Sequence, residues 1–138
     1  MSDTLTQFAS DLVAAWNAHD IERVAVLYAP EYEEVDVGQA APQHGPESIR
    51  RTMTRYLYAF PDLQVTLNEV LVEGDRAALA WTWRGTHRGT LMNIPPTGRT
   101  VTVQGMSILT LEAGRIRRGL RIWDLAGLLR ALGLLPEL

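Results

Sequence analysis

The sequence predicts a single α+β domain, residues 1–138, in which helices pack on one face of a curved, mostly antiparallel sheet. Two observations predict it. Apolar residues recur every three or four positions through most of the first half, the spacing of amphipathic helices. From Leu63 onward they alternate in runs separated by short turns, which is typical of strands. Because a strongly bent sheet closed by helices forms a cone, we expect a cone-shaped α+β barrel with an internal pocket.

Three helices are predicted in the first half. The first follows the polar residues 2–4, which suit a helix start. Its apolar stripe consists of Leu5, Phe8, Leu12, Ala15 and Trp16. Residues 17–20 interrupt the stripe, Asp20 suits the N-cap of a short second helix, and Pro30 is expected to end that helix. Pro46 opens the third helix, because proline is favoured at the first helical position.

The strands are predicted mainly from alternation. A short strand at residues 32–37 carries a run of acids and precedes the third helix. The later strands lie at residues 63–72, 77–87, 101–111 and 116–123. The last two form a hairpin around residues 112–114, and a short C-terminal helix at residues 125–132 ends at Gly133.

Composition excludes several classes of function. The chain has 138 residues, a net charge of -3, no cysteine and no lysine. Disulfides, thiol nucleophiles, lysine Schiff bases and lysine-containing phosphate loops are therefore excluded. The mild acidity argues against a nucleic-acid partner.

Targeting and cofactor signals are also missing from the sequence. Three scattered histidines predict no metal site, and no Gly-rich loop predicts a nucleotide cofactor. The N-terminus does not resemble a signal peptide, and no apolar run has the length of a membrane span. We therefore expect a cytoplasmic protein that needs no cofactor and does not contact a membrane.

The last hairpin predicts which side chains face the pocket. Pairing around residues 112–114 sets Ser107 opposite Gly119 and Gly105 opposite Arg121, since side chains alternate along strands. The same face carries Val103, Leu109, Arg117 and Trp123. The other face carries Met106, Ile108, Ile116, Leu120 and Ile122, together with Gln104 and Arg118.

Both faces of this hairpin are substantially apolar, although a single layer of helices covers only one of them. We therefore expect a homodimer that forms through the outer face of the sheet. The alternative is that the C-terminal helix wraps over that face.

Two tryptophans alternate along the strand at residues 77–87. Its odd positions place Leu79, Trp81, Trp83 and His87 on one face. Large aromatic residues are mostly core, so these side chains form either a core wall or an aromatic wall for a substrate.

Several motifs resemble the SnoaL-like polyketide cyclase family, within the nuclear transport factor 2-like superfamily. In the second half they are GTHRG at residues 85–89, PPTGR at 95–99 and WD at 123–124. In the first half they are WNAHDIERVAVLYAP at residues 16–30 and HGPESIR at 44–50. The resemblance covers nearly the whole chain. It implies a cone with a hydrophobic cavity, aromatic polyketide substrates, and no metal or organic cofactor.

The resemblance also bears on mechanism. The superfamily includes ketosteroid isomerases, and Asp36 matches the position of their general base. Their oxyanion-hole pair is replaced by Leu12 and Ser107, which argues against isomerase chemistry by that arrangement. Many cyclases of this family carry an acid and a histidine where we place Ser107 and Gly119, so that couple is absent too. Related proteins assigned to hydroxylation line the cavity differently, and this chain is similar to those as well.

Four residues are candidates for catalysis. Asp36 is the expected base for removing a proton next to a carbonyl, or else one more acid on a solvated strand. His87 is an imidazole that faces the pocket, or caps the turn before Gly89. Arg121 is expected inward, clamping a substrate oxygen or pairing with Asp36 or Asp124. Asp124 is an acid–base group at the mouth of the cone, or the N-cap of the last helix.

The candidates for substrate binding lie on the predicted wall or rim of the pocket. They are Tyr32, His44, Trp81, Trp83, Ser107 and Trp123. For His44 the alternative is a loop residue that only forms local hydrogen bonds.

Together with the resemblance, these residues predict a cofactor-independent enzyme of aromatic, anthracycline-type polyketide antibiotic biosynthesis. The reaction is expected to be an aldol-type cyclisation or a tailoring hydroxylation. A hydroxylase would need a separate reductase, or a substrate that activates oxygen itself. The alternative is a non-catalytic small-molecule-binding protein of the same fold.

Overall fold

The computed structural model describes residues 2–137 and contains, over that range, four helices and six strands. The helices are α1 (Ser2–Asn17), α2 (Ile21–Ala25), α3 (Gly45–Ala59) and α4 (Leu125–Ala131). The strands are β1 (Tyr28–Asp36), β2 (Gln43–His44), β3 (Gln64–Glu73), β4 (Arg76–Thr86), β5 (Thr100–Glu112) and β6 (Arg115–Trp123).

The strands form one curved, open sheet in the order β2-β1-β6-β5-β4-β3. All neighbouring strands are antiparallel except β1 and β6, which run parallel. Helix α1 packs on β3 and β4, and α3 packs on β1. This arrangement confirms the predicted α+β architecture with helices on one face of a mostly antiparallel sheet.

The helix starts follow the local signals in the sequence. The side chain of Asp20 accepts a hydrogen bond from the amide of Arg23 at 3.1 Å and caps α2. Pro46 lies in the first turn of α3, where its missing N–H leaves no intrahelical bond unmade. Gly133 follows α4 with a φ of +83°, the left-handed conformation that ends helices.

The prediction that Pro30 ends the second helix was wrong. Helix α2 ends at Ala25, and β1 begins at Tyr28 rather than at residue 32. Proline is tolerated there because the pairing of β1 with β6 is irregular between Tyr28 and Glu33. Pro30 therefore interrupts no regular ladder bond.

Two clusters of buried side chains hold the layers together. The first joins α1 to the sheet and includes Leu12, Ala15 and Ile49. The second lies under α4 and includes Phe60, Trp83 and Leu128. The cavity described below lies between α1, α3 and the sheet, and residues of both clusters line it.

The predicted register of the last hairpin was wrong by two residues. Ser107 lies opposite Arg121, and Gly105 lies opposite Trp123. Two features cause the shift. The turn has only two central residues, Ala113 and Gly114, both with positive φ, and the ladder is irregular between Thr110 and Leu111.

The same irregularity moves two side chains away from their predicted faces. Ile116 was expected on the outer face but is fully buried in the first cluster. Arg117 was expected to face the pocket. It instead donates to the Glu31 carbonyl at 2.7 Å and lies 3.6 Å from a Glu33 carboxylate oxygen. The alternation predicted for Ser107, Arg121 and Trp123 holds, because these residues lie beyond the irregular position.

The outer face of the sheet remains apolar and open in a single chain. Met106 and Ile122 are 41% and 49% exposed, and Val35 beside them on β1 is 49% exposed. The buried Leu128 and Leu132 direct α4 into the second cluster, so the helix does not cover these side chains. The homodimer through this face stays a prediction.

Candidate active site

An aromatic-walled cavity opens between the helices and the sheet. Its volume is about 120 Å³, and the space out to its open mouth is about 900 Å³. Side chains from α1, α3 and all the long strands line it, and most are apolar. The predicted residues in this wall are Tyr32, Asp36, Trp81, Trp83, Ser107, Arg121 and Trp123. A cavity of this kind suits a small, largely apolar guest.

An ion cluster forms the polar part of the wall. Arg121 on β6 lies between two carboxylates of β1, because the two strands run side by side and in parallel. Its Nη2 donates to Glu34 Oε1 at 2.9 Å, and its Nη1 donates to Asp36 Oδ2 at 3.3 Å. The guanidinium fork is thus engaged by protein carboxylates.

Asp36 is held from three directions. Its Oδ1 accepts from the indole N–H of Trp123 and from the amide of Gly38, both at 2.8 Å. Its Oδ2 has only the longer contact with Arg121. Gly38 permits this packing, since a Cβ there would lie 2.9 Å from the indole nitrogen of Trp123. The Asp36 side chain is therefore fixed in orientation, and Oδ2 is its less occupied oxygen.

Glu34 is a site residue that the sequence analysis did not select. The residue is 1% exposed and lines the cavity. Its Oε1 accepts from the Tyr32 hydroxyl at 2.9 Å as well as from Arg121. Its Oε2 is buried and has no hydrogen-bond partner within residues 2–137. Strand alternation carried two residues back from Asp36 would have selected it.

Burial and charge adjust the other ionisable groups of the wall. Burial alone lowers the pKa of Arg121, but the charge of Glu34, with contributions from Tyr28, Tyr32 and Asp36, more than offsets this and raises it. Burial raises the pKa of Tyr56 to about 12, and it raises the pKa values of Tyr28 and Tyr32 further. These phenols keep their protons at neutral pH, and that of Tyr32 donates to Glu34.

Aromatic side chains complete the wall. The indole N–H of Trp81 donates to Ser107 Oγ at 3.0 Å, which orients the ring across Gly105. The Tyr56 ring meets those of Trp83 and Trp123 edge to face, with centroids 5.8 and 6.4 Å apart. The three rings line the cavity and pack against one another, so the wall on this side is aromatic.

The expectation that His87 faces the pocket was wrong. Its side chain is fully buried next to Phe60 and does not line the cavity. Its Nδ1 accepts from the amide of Thr97 at 3.2 Å, and its ring packs 5.5 Å from that of Phe60. His87 therefore anchors the loop at residues 88–99, which is the turn-capping alternative.

Asp124 and His44 also lie outside the cavity wall. Asp124 is exposed, and its carboxylate accepts from the Gly127 amide at 2.8 Å as the N-cap of α4. His44 is exposed on β2, opposite Glu33. Neither of these candidates joins the ion cluster, because each directly precedes a helix rather than occupying an inward position on a long strand.

Two features are absent from the part of the chain that the structure describes. Within residues 2–137, no three histidine or carboxylate side chains lie close enough together to hold a metal ion. Of the helices in that range, none is both long and apolar enough to cross a membrane.

The geometry of the cavity agrees with the protein family whose model this sequence matches. Residues 6–132 match the family model described as SnoaL-like polyketide cyclase. The chain belongs to this family. The resemblance drawn from its motifs is thereby confirmed. Among curated proteins, no relative matches this SnoaL-like chain.

Solved structures of similar fold cover nearly the whole of this SnoaL-like chain. AclR from Streptomyces galilaeus, a proposed hydroxylase, is 28% identical with a TM-score of 0.89, covering 100% of this chain and 89% of that one. TsrD from Streptomyces laurentii is 31% identical with a TM-score of 0.86, covering 96% and 97%. IdmH from Streptomyces antibioticus, a proposed polyketide cyclase, is 28% identical with a TM-score of 0.79, again covering 96% and 97%.

Proposed function

We propose that this SnoaL-like protein is a cofactor-independent enzyme that moves protons on an aromatic, anthracycline-type polyketide intermediate. One observation carries the proposal: a fixed Asp36–Arg121–Glu34 ion cluster lies in the wall of an aromatic cavity. Isolated charges in an apolar wall are costly unless they are paired. A paired cluster open to a cavity is therefore a candidate for acid–base chemistry.

Asp36 is the proposed base. Its Oδ2 has a single contact of 3.3 Å, so one side of this oxygen is available to a proton from the guest. In a ring closure, Oδ2 takes a proton from a carbon next to a carbonyl group. The enolate carbon then bonds to a second carbonyl carbon of the same molecule. The oxygen of that second carbonyl takes the proton back from Asp36, so the base is regenerated.

Hydrogen-bond donors stand ready for the negative charge that develops on the substrate oxygens. Arg121 and Tyr56 both line the cavity, and the bonds to Glu34 and Asp36 take two of the five N–H donors of Arg121. Because burial raises the pKa of Tyr56 to about 12, its phenol keeps its proton at neutral pH. Donors fixed before the reaction stabilise an enolate without reorganising, which is the larger part of many enzymatic accelerations.

Hydroxylation is the second candidate function. It is favoured by the likeness to AclR, the proposed hydroxylase, over the whole chain. Such a reaction consumes molecular oxygen. It needs a separate reductase as partner, or a substrate that itself reduces oxygen. The third possibility is that the protein binds its guest without turnover.

Oxygen dependence separates these functions. The purified protein is incubated with a linear aromatic polyketide methyl ester, once in air and once without oxygen. The masses of the products are measured by mass spectrometry. Ring closure proceeds equally in both, and the product has the mass of the substrate or that mass less one water. Hydroxylation proceeds only in air and adds one oxygen atom. Measurable binding with no product in either condition would overturn both enzymatic proposals in favour of the binding protein.

Two further expectations remain proposals. We expect a homodimer through the outer sheet face, because Met106, Ile122 and Val35 are apolar and exposed there. We also expect the protein to work in the cytoplasm. Sedimentation of the wild-type chain and of Ile122→Arg tests the first, since a dimer through this face should dissociate on placing a charge in it.

A further inference from the structure

One of the two carboxylate oxygens of Glu34 lacks a hydrogen-bond donor among residues 2–137. Tyr32 and Arg121 both donate to Oε1, whereas Oε2 has no partner within residues 2–137 and is buried. A buried oxygen without a donor destabilises the folded chain, and more so when it carries charge. Such a group in a native protein calls for a physical explanation.

The neighbouring protein groups do not supply the missing donor. Arg121 already serves both Glu34 and Asp36, and the Tyr32 hydroxyl is committed to Oε1. The cluster holds two carboxylates and one guanidinium, so negative groups outnumber positive ones. A second anion brought in by a guest would be repelled, while an uncharged O–H donor would be accepted.

We propose that Glu34 accepts a hydrogen bond from a hydroxyl group of the guest, which makes Glu34 the residue by which this cavity selects a guest with a donor at that position. The inference rests on the proposed function. Glu34 is part of the cavity wall, and the terminal torsion of a glutamate is soft, so a small rotation of the carboxylate brings Oε2 within reach of a guest. This hydrogen bond gives Glu34 Oε2 the donor that it lacks among residues 2–137.

A matched pair of small guests tests the proposal. The probes are 2-naphthol and 2-methoxynaphthalene, which share a flat two-ring skeleton, are uncharged at pH 7, and differ in having or lacking a donor. Their affinities are measured by calorimetry with the wild-type chain. We expect 2-naphthol to bind roughly 10- to 100-fold more tightly, the value of a hydrogen bond to a charged group.

Two variants assign this preference to one side chain. Glu34→Gln places an amide N–H where Oε2 was, and that group donates to a methoxy oxygen as well as to a hydroxyl. The preference should therefore fall to within about threefold, less than one ordinary hydrogen bond is worth. Glu33→Gln is the matched control, because Glu33 is the adjacent acid, is exposed, and does not line the cavity. It should keep the wild-type preference.

The outcomes are distinguishable. Equal affinities of the two probes for the wild-type chain would overturn this inference and leave the proposed function standing, whether or not the variants fold. A preference that persists in Glu34→Gln, or that disappears equally in Glu33→Gln, would also overturn it. Binding of neither probe would overturn the aromatic guest itself, and with it both the proposed function and this inference.

Discussion

Two buried polar atoms in this molecule lack a hydrogen-bond partner within residues 2–137, and they lie in opposite surroundings. Glu34 Oε2 belongs to a side chain on the wall of an open cavity. His87 Nε2 belongs to a ring inside the packed second cluster, against Phe60. From the sequence, the histidine was predicted as a site residue and the glutamate was not. Burial of an ionisable group therefore marks a candidate site only where the group adjoins space for a guest.

The end of β4 explains why Trp83 reaches the cavity and His87 does not. Both side chains are buried, but Trp83 lies within the strand and lines the cavity, whereas His87 follows the last residue of the strand. Between them Gly85 presses on Phe60, so closely that a Cβ would lie 2.8 Å from the Phe60 Cβ. Phe60 therefore fills the space in front of His87 and closes this end of the cone.

The largest effect is expected at Asp36. Asp36→Asn removes the proposed base and should lower turnover of a polyketide ester by about 10²–10⁴-fold, the usual loss of a positioned general base. Asp124→Asn is the control, because asparagine also caps helices and Asp124 lies outside the cavity. The Asp124→Asn variant should turn over the polyketide ester at the wild-type rate. Equal rates for wild type and Asp36→Asn would remove Asp36 from the mechanism.

Arg121 should have the largest effect on stability. Arg121→Met leaves the buried carboxylates of Glu34 and Asp36 without a counter-ion, at a cost of about 3–5 kcal/mol in the free energy of unfolding. Arg76→Met breaks an exposed pair with Glu73 and should cost less than about 1 kcal/mol. Urea titration measures both. Similar small losses in the two variants would show that the ion cluster does not hold β1 against β6.

Alkaline pH should unfold the cavity end through its tyrosines. Their pKa values are raised in the folded chain, to about 12 for Tyr56 and further for Tyr28 and Tyr32. In the unfolded chain phenols ionise at about pH 10. Stability should therefore be constant below about pH 10 and fall as the pH rises toward 12, because only the unfolded chain ionises readily.

Tyr56→Phe provides the control for this titration. The variant lacks one of the phenols and should lose less stability between pH 10 and 12 than the wild-type chain, as measured by urea unfolding at each pH. Ionisation of the three phenols that line the cavity, followed by ultraviolet absorbance, should coincide with unfolding. Ionisation of all four tyrosines near pH 10 in a chain that is still folded would contradict the burial of these hydroxyls.

A smaller effect is expected at His87. His87→Leu removes the acceptor of the Thr97 amide and should lower the free energy of unfolding by about 1–3 kcal/mol. His87→Asn keeps an acceptor near the same position and should lose less. Turnover by the folded variants should match the wild type. A large loss of turnover in His87→Leu and His87→Asn, with stability retained in both variants, would show that His87 takes part in the reaction.

Local signals predicted most of the fold. Asp20, Pro46 and Gly133 act on the residues beside them, so the helix starts and the last helix end could be predicted from sequence. The hairpin register could not, because it depends on the two-residue turn at Ala113 and Gly114 and on an irregularity nearby. Each of these shifts pairing without changing the alternation of apolar residues.

The candidate site was predicted in part for a related reason. Alternation placed Asp36, Arg121 and Trp123 on the inner face, and they meet there. Asp36 was one of the predicted partners of Arg121, and the two side chains are paired. Alternation also places Glu34 on the inner face, but only the parallel pairing of β1 with β6 puts Glu34 beside Arg121. Alternation gives the face of a residue but not its depth in the cone, and for that reason His87 was placed in the wrong surroundings.

The parallel pairing of β1 with β6 sets when the site can assemble. The hydrogen bonds from Arg121 to Glu34 and Asp36 span 87 and 85 residues of chain. During synthesis on the ribosome, the acidic segment emerges long before the arginine that neutralises it. A nascent chain that ends before residue 115 has both carboxylates and no guanidinium between them. The ion cluster therefore cannot form until β6 has been synthesised and has left the ribosome.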